Sequence, residues 1–334
     1  MRLADFDYNL PEELIAQYPA AERDHARLLV VDRTAGTIEH SSFYHIGKYL
    51  APQSVLVVNN SKVIPARLLG HKPRSGGQVE VFLLRSLGGR RFEAMVRPLK
   101  KVKDGELLVF DGGITARLAD RAARVVEFDR DDVFKALETA GHIPLPPYIR
   151  RPDEAADRVN YQTVYARPAG SVAAPTAGLH FTKPLMRGLR QEGHSFASVT
   201  LHVNYGTFKP VEAEDIISHP MHSEEYSITP AAVKKVQAAG TAGKKVVAVG
   251  TTSCRVLEAY ARTNQTRGET RLFLYPGAEF KYVNAIITNF HLPRSTLLML
   301  VSAFGGTDLI CRAYQEAIRE KYRFYSYGDA MLVK

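Results

Sequence analysis

The chain has 334 residues, 45% of them hydrophobic and 24% charged, with a formal net charge of +9. That length exceeds one small core, so two domains are expected, and the balance is that of an ordinary globular protein. The opening MRLADFDYNLPEEL lacks an apolar run behind basic residues, and the longest apolar runs, such as 297–301, fall far short of a membrane span. Two cysteines, Cys254 and Cys311, make neither a disulfide framework nor a Cys-x-x-Cys motif. The expectation is a cytoplasmic protein with two buried or idle thiols and no membrane partner.

Residues 11–17 read as a helix with proline in its first turn. A strand follows at 27–32, a short helix at 42–50, and a buried strand at 54–59 that ends in the polar turn Asn59-Asn60-Ser61. The style changes after Pro65. Short apolar runs at 66–69, 79–84, 92–96, 107–110, 114–118 and 125–128 are separated by Gly76-Gly77, Gly88-Gly89, Asp104-Gly105 and Asp111-Gly112-Gly113. Short strands at such regular spacing predict a small antiparallel barrel or sandwich.

The three prolines of GHIPLPPYI (141–149) mark the return from this insert. Helices and strands then alternate. Helices are predicted at 185–191, 230–239, from about 255, at 295–303 and at 309–320; strands at 197–202, 245–249, 271–275, 285–288 and 330–333. The pattern is α/β. It implies a discontinuous large domain, 1–64 with 146–334, interrupted by a small β-barrel at 65–145.

The positive charge is concentrated. Between Arg67 and Lys103 stand ten basic residues against Glu80 and Glu93, so this window carries nearly the whole excess. A basic stripe of this kind is the footprint of a polyanion such as nucleic acid; the alternative is a solvated basic surface.

Several segments carry candidate chemistry. Residues 171–183, SVAAPTAGLHFTK, set small residues before Thr176, Gly178 and His180. Gly178 is open to backbone angles closed to other residues, and an imidazole moves protons near neutral pH. Gly250-Thr251-Thr252-Ser253 follows a strand and precedes a helix, a place for a carboxylate or phosphate on backbone N–H groups, or merely a helix cap. His219 and His222 flank Pro220-Met221; no third metal ligand follows from spacing, so proton transfer or a loop network is favoured over a metal. His202 and His291 fall at predicted strand ends, where α/β folds bind ligands. The aromatic run 322–329, YRFYSYGD, reads as a packed strand or as a platform for a purine. There is no GxGxxG, Walker loop, GxSxG elbow or zinc-like cysteine set.

Taken together, AAPTAGLHF (173–181), HPMHSEEY (219–226), VGTTS (249–253), NFHLPRSTLLMLVSAF (289–304) and YRFYSYGDAML (322–332) resemble one family along the whole chain. VVNNSKVIPARL (57–68), GHIPLPPYI and YQTVYA (161–166) extend the likeness. The chain resembles the S-adenosylmethionine:tRNA ribosyltransferase-isomerases of queuosine biosynthesis. The resemblance implies an α/β barrel-like large domain with the small β-barrel inserted.

It also implies a reaction in which S-adenosylmethionine is a consumed ribosyl donor and not a cofactor. The acceptor would be tRNA carrying 7-aminomethyl-7-deazaguanine at the wobble position. The products would be epoxyqueuosine-tRNA, adenine and methionine, with no metal. A base removes the proton beside the sulfonium, adenine leaves, the tRNA amine joins the opened sugar, and methionine departs as the epoxide closes.

On this reading His180, His202, His222 and His291 are the candidate proton carriers. Thr176 and Gly178 lie against the ribose or sulfonium, and Gly250, Thr251, Thr252 and Arg255 hold the methionine carboxylate. Asn59 and Asn60 read the deazaguanine edge, and Arg67, Arg97, Lys100 and Lys101 take tRNA phosphates. Two departures from the family pattern stand out: Asn204 where glycine is usual, and Cys254 where valine is frequent. A basic RNA-binding module without chemistry, and a metal-dependent hydrolase built on His219 and His222, are the competing readings.

Overall fold

The computed structural model describes residues 1–203, 211 and 214–334. The large unit is built on nine strands: β1 (Arg27–Asp32), β2 (Thr37–Ser42), β3 (Val55–Asn59), β10 (Ser195–Leu201), β11 (Glu224–Ile228), β12 (Val246–Val249), β13 (Arg267–Thr270), β14 (Ala285–Asn289) and β15 (Ala330–Val333). A separate parallel pair joins Lys62–Val63 to Ala169–Ser171. The order in the large sheet is β13-β11-β10-β3-β12-β14-β15-β1-β2. Its centre, β10-β3-β12-β14, is parallel, and β15 runs antiparallel to β14.

The central strands read as near-continuous apolar runs because both faces are covered. Val55 and Val57 enter one core with Val246, Ala248 and Ile286, while Leu56 and Val58 enter the other with Val247, Val249 and Ile287. Helices α2 (Lys183–Gln191), α3 (Pro230–Thr241), α4 (Thr251–Thr263), α5 (Thr296–Gly305) and α6 (Thr307–Arg319) supply the cover. Among the described residues the sheet is open, with β13 and β2 at its edges, so the barrel-like large domain expected above is a layered sheet instead. No single helix among the described residues is long and apolar enough to cross a membrane.

The six apolar runs become β4 (Arg67–His71), β5 (Gln78–Ser86), β6 (Arg91–Arg97), β7 (Leu107–Phe110), β8 (Thr115–Asp120) and β9 (Val125–Phe128), closed into one antiparallel barrel. Their inward residues, with Val133, Ala136, Leu137 and Ala140 of the helix α1 (Val133–Ala140), form a separate core. The chain leaves and returns side by side: Arg67 and His142 exchange both backbone hydrogen bonds, at 2.8 and 3.3 Å.

Three local expectations change. The helix predicted at 11–17 is one 3₁₀ turn, Glu12–Leu14, and Ile15 pairs instead with Phe324. The helix at 42–50 is also 3₁₀, Phe43–Tyr49. The last antiparallel strand before 285 is Arg267–Thr270, not 271–275. Cys254 is packed in the core and burial pushes its thiol up, whereas Cys311 is exposed. Asn204 lies outside the described residues.

Candidate active site

Parallel strands point all their carboxyl ends to one edge, where side chains and backbone groups are free of the ladder. A cleft opens there, about 590 Å³ with the open solvent at its mouth included. Its walls come from Ala173–Ala177, from Val203 after β10, from Gly250–Thr252 after β12, and from Thr288–Leu292 at the end of β14. Tyr325 and Ser326, just before the antiparallel β15, reach the same edge, as does Tyr148.

Gly250 sits at φ +89°, so a side chain there is strained, and it turns the chain from β12 into α4. The first N–H groups of α4 have no partner within the helix, by geometry, and no side chain caps them. Thr252 Oγ1 is buried and unpartnered in the same wall. N–H groups and an open hydroxyl at a helix start favour an anionic group.

His291 is buried and lines the same cleft. Its Nε2 lies 2.7 Å from Thr288 Oγ1, its N–H donates to Tyr314 Oη at 2.9 Å, and its carbonyl accepts from the Tyr8 hydroxyl. Burial lowers its pKa to about 3, so the ring is neutral at pH 7.

The four candidate histidines do not converge. Only His291 lines the cleft. His180 lies one layer behind, its ring 5.1 Å from that of Phe43 and its Nε2 3.2 Å from Asn289 Nδ2. Burial lowers its pKa to about 4. The side chain of His202 lines a different cleft, with Arg85 and Phe134, between the barrel and the sheet. His222 is exposed, and with His219 it finds no third metal ligand among the described residues. The His219 pKa is lowered by burial first and by the neighbouring His222 second.

Other candidates also separate. Thr176, Gly250, Thr251 and Thr252 line the cleft. Gly178 does not: it is needed because a Cβ there would overlap the Tyr165 hydroxyl. Arg255 is buried farther along α4, where it pairs with Glu224 and donates to the Leu272 carbonyl at 3.1 Å. Four residues make one helical turn, which carries it about 6 Å along α4 from Thr251. Asn59 is spent inside the sheet: Nδ2 donates to the Leu201 carbonyl, and Oδ1 accepts from the Leu201 and Ser61 N–H groups. It is not free to read a base edge. Asn60 is half-buried and accepts from Thr200 Oγ1 at 2.7 Å.

The basic window is partly neutralised, by Glu80 within it and by carboxylates from elsewhere in the fold. Arg67 pairs with Glu80, Lys72 with Glu106, Arg90 with Asp131 and Arg91 with Glu127. Arg97, Lys100 and Lys101 are exposed and have no ion pair among the described residues.

Residues 3–333 match the model of a family described as queuosine biosynthesis protein. The chain belongs to that family. It is 51% identical to the S-adenosylmethionine:tRNA ribosyltransferase-isomerase of Symbiobacterium thermophilum and 48% identical to that of a Sulfurihydrogenibium species, each match covering all of both chains. The crystal structure of the S-adenosylmethionine tRNA ribosyltransferase of Thermotoga maritima is 39% identical, with a TM-score of 0.58 over 99% of this chain and 100% of that one. A queuosine biosynthesis fold therefore carries the cleft just described.

Sequence reasoning left out Tyr148, Thr288 and Asn289 as site residues, though all line the cleft, whereas Tyr325 and Ser326 fall in the run 322–329 offered as a purine platform. For Thr288 and Asn289 a signal existed. They close a predicted strand, the position already used to single out His291.

Proposed function

We propose that this chain transfers and isomerises the ribosyl moiety of S-adenosylmethionine onto 7-aminomethyl-7-deazaguanine at the tRNA wobble position. Epoxyqueuosine-tRNA, adenine and methionine are released. The observation that carries the reading is the single cleft assembled from 173–177, 250–252 and 288–292, three of the segments that mark the family.

In this reading the methionine carboxylate meets the N–H groups of Thr251 and Thr252, and the Thr252 hydroxyl serves the same end. Thr176 lies against the ribose. His291, neutral and held by Thr288, takes the acidic proton beside the sulfonium. Water is limited by the apolar stretch Ala173–Pro175 and by Phe290. The donor is consumed, so no cofactor turns over and no metal is required. Residues 65–145 act as an inserted domain; the closed barrel with its own core supports this division. Arg97, Lys100 and Lys101 on that barrel meet tRNA phosphates, and a tRNA substrate puts the work in the cytoplasm.

The test is direct. The protein is incubated with S-adenosylmethionine and tRNA bearing the aminomethyl deazaguanine, with and without a chelator, and adenine and the modified nucleoside are followed by mass spectrometry. Stoichiometric adenine release that survives chelation is expected. A methyl transfer without adenine release defeats the reading.

A further inference from the structure

Asn289 ends β14 at the wall of the cleft and is 2% exposed. Its Nδ2 donates to the Tyr325 carbonyl at 3.0 Å and lies 3.2 Å from His180 Nε2. Its Oδ1 is buried and has no partner among the described residues. The orientation follows from chemistry. A backbone carbonyl only accepts, so the amide edge at Tyr325 must be the NH₂ group. The second N–H then falls on His180 Nε2, which accepts only in a neutral imidazole protonated at Nδ1.

Burial keeps that ring neutral, and a hydrogen bond to the Arg23 backbone accompanies it. Both donors of Asn289 are thus used, and the oxygen is left as a fixed acceptor. Native interiors satisfy nearly all such atoms, because an unmade hydrogen bond is costly. This oxygen is kept for a donor that arrives.

We propose that Asn289 Oδ1 accepts from the exocyclic amine of the donor's adenine, and that His180 is a positioning residue that aims it. The inference rests on the ribosyl-donor reading. The cleft lining offers both kinds of group the donor needs. The N–H groups at the start of α4 suit a carboxylate, and Asn289 lies beside Tyr325 and Tyr148, whose rings are 4.7 Å apart. Aromatic faces with one fixed acceptor suit an aminopurine. An acceptor also excludes: a 6-oxo purine would bring a second lone pair against it.

Isothermal titration calorimetry of the full-length protein with S-adenosylhomocysteine and its 6-oxo counterpart S-inosylhomocysteine tests this. The 6-oxo compound is expected to bind more weakly by on the order of a hundredfold. Asn289→Ala brings the two within about threefold of each other, and His180→Ala narrows the gap by about tenfold, since the freed amide turns. Equal binding of both compounds by the unaltered protein overturns the proposal and needs no variant to fold. Full discrimination in His180→Ala overturns the positioning role. If neither compound binds and S-adenosylmethionine yields no adenine, the donor reading fails and this inference with it.

Discussion

His291 Nε2 and Thr288 Oγ1 lie 2.7 Å apart on the wall of the cleft, three residues apart across the end of one strand. The strand fixes the threonine, and two tyrosine hydroxyls fix the histidine backbone. The ring therefore has one orientation. If it is the base, His291→Ala lowers kcat for adenine release by about 10²–10⁴-fold, the usual share of general base catalysis. Donor affinity measured by calorimetry changes little. Thr288→Val keeps the shape and loses the hydrogen bond, with an expected loss of about tenfold. An unchanged kcat in His291→Ala removes this histidine from the proton transfer.

The same burial makes stability depend on pH. His180 and His291 have folded pKa values of about 4 and about 3, against 6.5 for a free imidazole. The unfolded chain thus binds more protons in this window, so stability rises with pH through it. The contribution is complete above about 6.5 and is lost as pH falls toward 4 for His180 and further toward 3 for His291. For His180 the loss is of order 3 kcal/mol. His194 and His202, also lowered by burial, act in the same direction. Melting temperature should fall steadily from pH 7 to pH 4.5, and His180→Gln should flatten that slope. A slope unchanged by the substitution would show that His180 titrates normally.

The barrel was readable because its signals are local. The hairpins at 71–78, 86–91 and 110–115 have glycine turns, the strands have alternating residues, and all six strands fall where the apolar runs stand. The central strands were readable because a parallel strand covered on both faces is an uninterrupted apolar run, as at 246–249. What was not readable is convergence. His202 and Val203 are adjacent, yet they face different clefts, because successive side chains at a strand end point opposite ways. Arg255 is four residues beyond Thr251, and only the helix decides that it faces Glu224 and not the cleft. The free charge of the basic window was not readable for a related reason. Its pairing carboxylates Glu106, Glu127 and Asp131 lie outside it in sequence and beside it in space.

The Arg255–Glu224 pair is structural, joining α4 to β11. Both side chains are almost wholly buried, and Arg255 Nη2 is already without a partner. Removing the carboxylate strands a buried guanidinium. Glu224→Ala should cost about 3–5 kcal/mol, whereas a matched apolar pair, Glu224→Leu with Arg255→Met, should recover most of it. Urea unfolding measures both. A Glu224→Ala protein of unchanged stability but weakened donor binding would return Arg255 to the methionine site.

Gly178 sets the place of the segment that carries Thr176. Its N–H donates to the Pro175 carbonyl at 2.8 Å, and an added Cβ would overlap the Tyr165 hydroxyl and come within 2.9 Å of Thr163. The Tyr165 hydroxyl is itself buried, so it gives way only by repacking. Gly178→Ala should therefore shift Thr176 and Ala177 at the cleft wall, raising the KM for S-adenosylmethionine by about tenfold at a stability cost of roughly 1–3 kcal/mol. Steady-state kinetics with a melting curve separates the two effects. A KM that stays put while the melting temperature drops would confine Gly178 to packing.

The surface charges divide into paired and unpaired sets, and salt dependence tells them apart. Each phosphate contact contributes its share to the slope of log K against log salt, nearly one unit on a duplex and less on a single strand. Lys100→Glu with Lys101→Glu removes two exposed, unpaired cations, so the slope for tRNA should fall by about one to two units and affinity should drop at low salt. Arg91→Ala, which frees Glu127, serves as the comparison. Its cation is already balanced by a carboxylate, so its slope should stay within about half a unit of the unaltered protein. Filter binding across a salt series measures both. Equal slopes for the two variants would mean that the tRNA backbone does not lie on the turn at Leu99–Lys101.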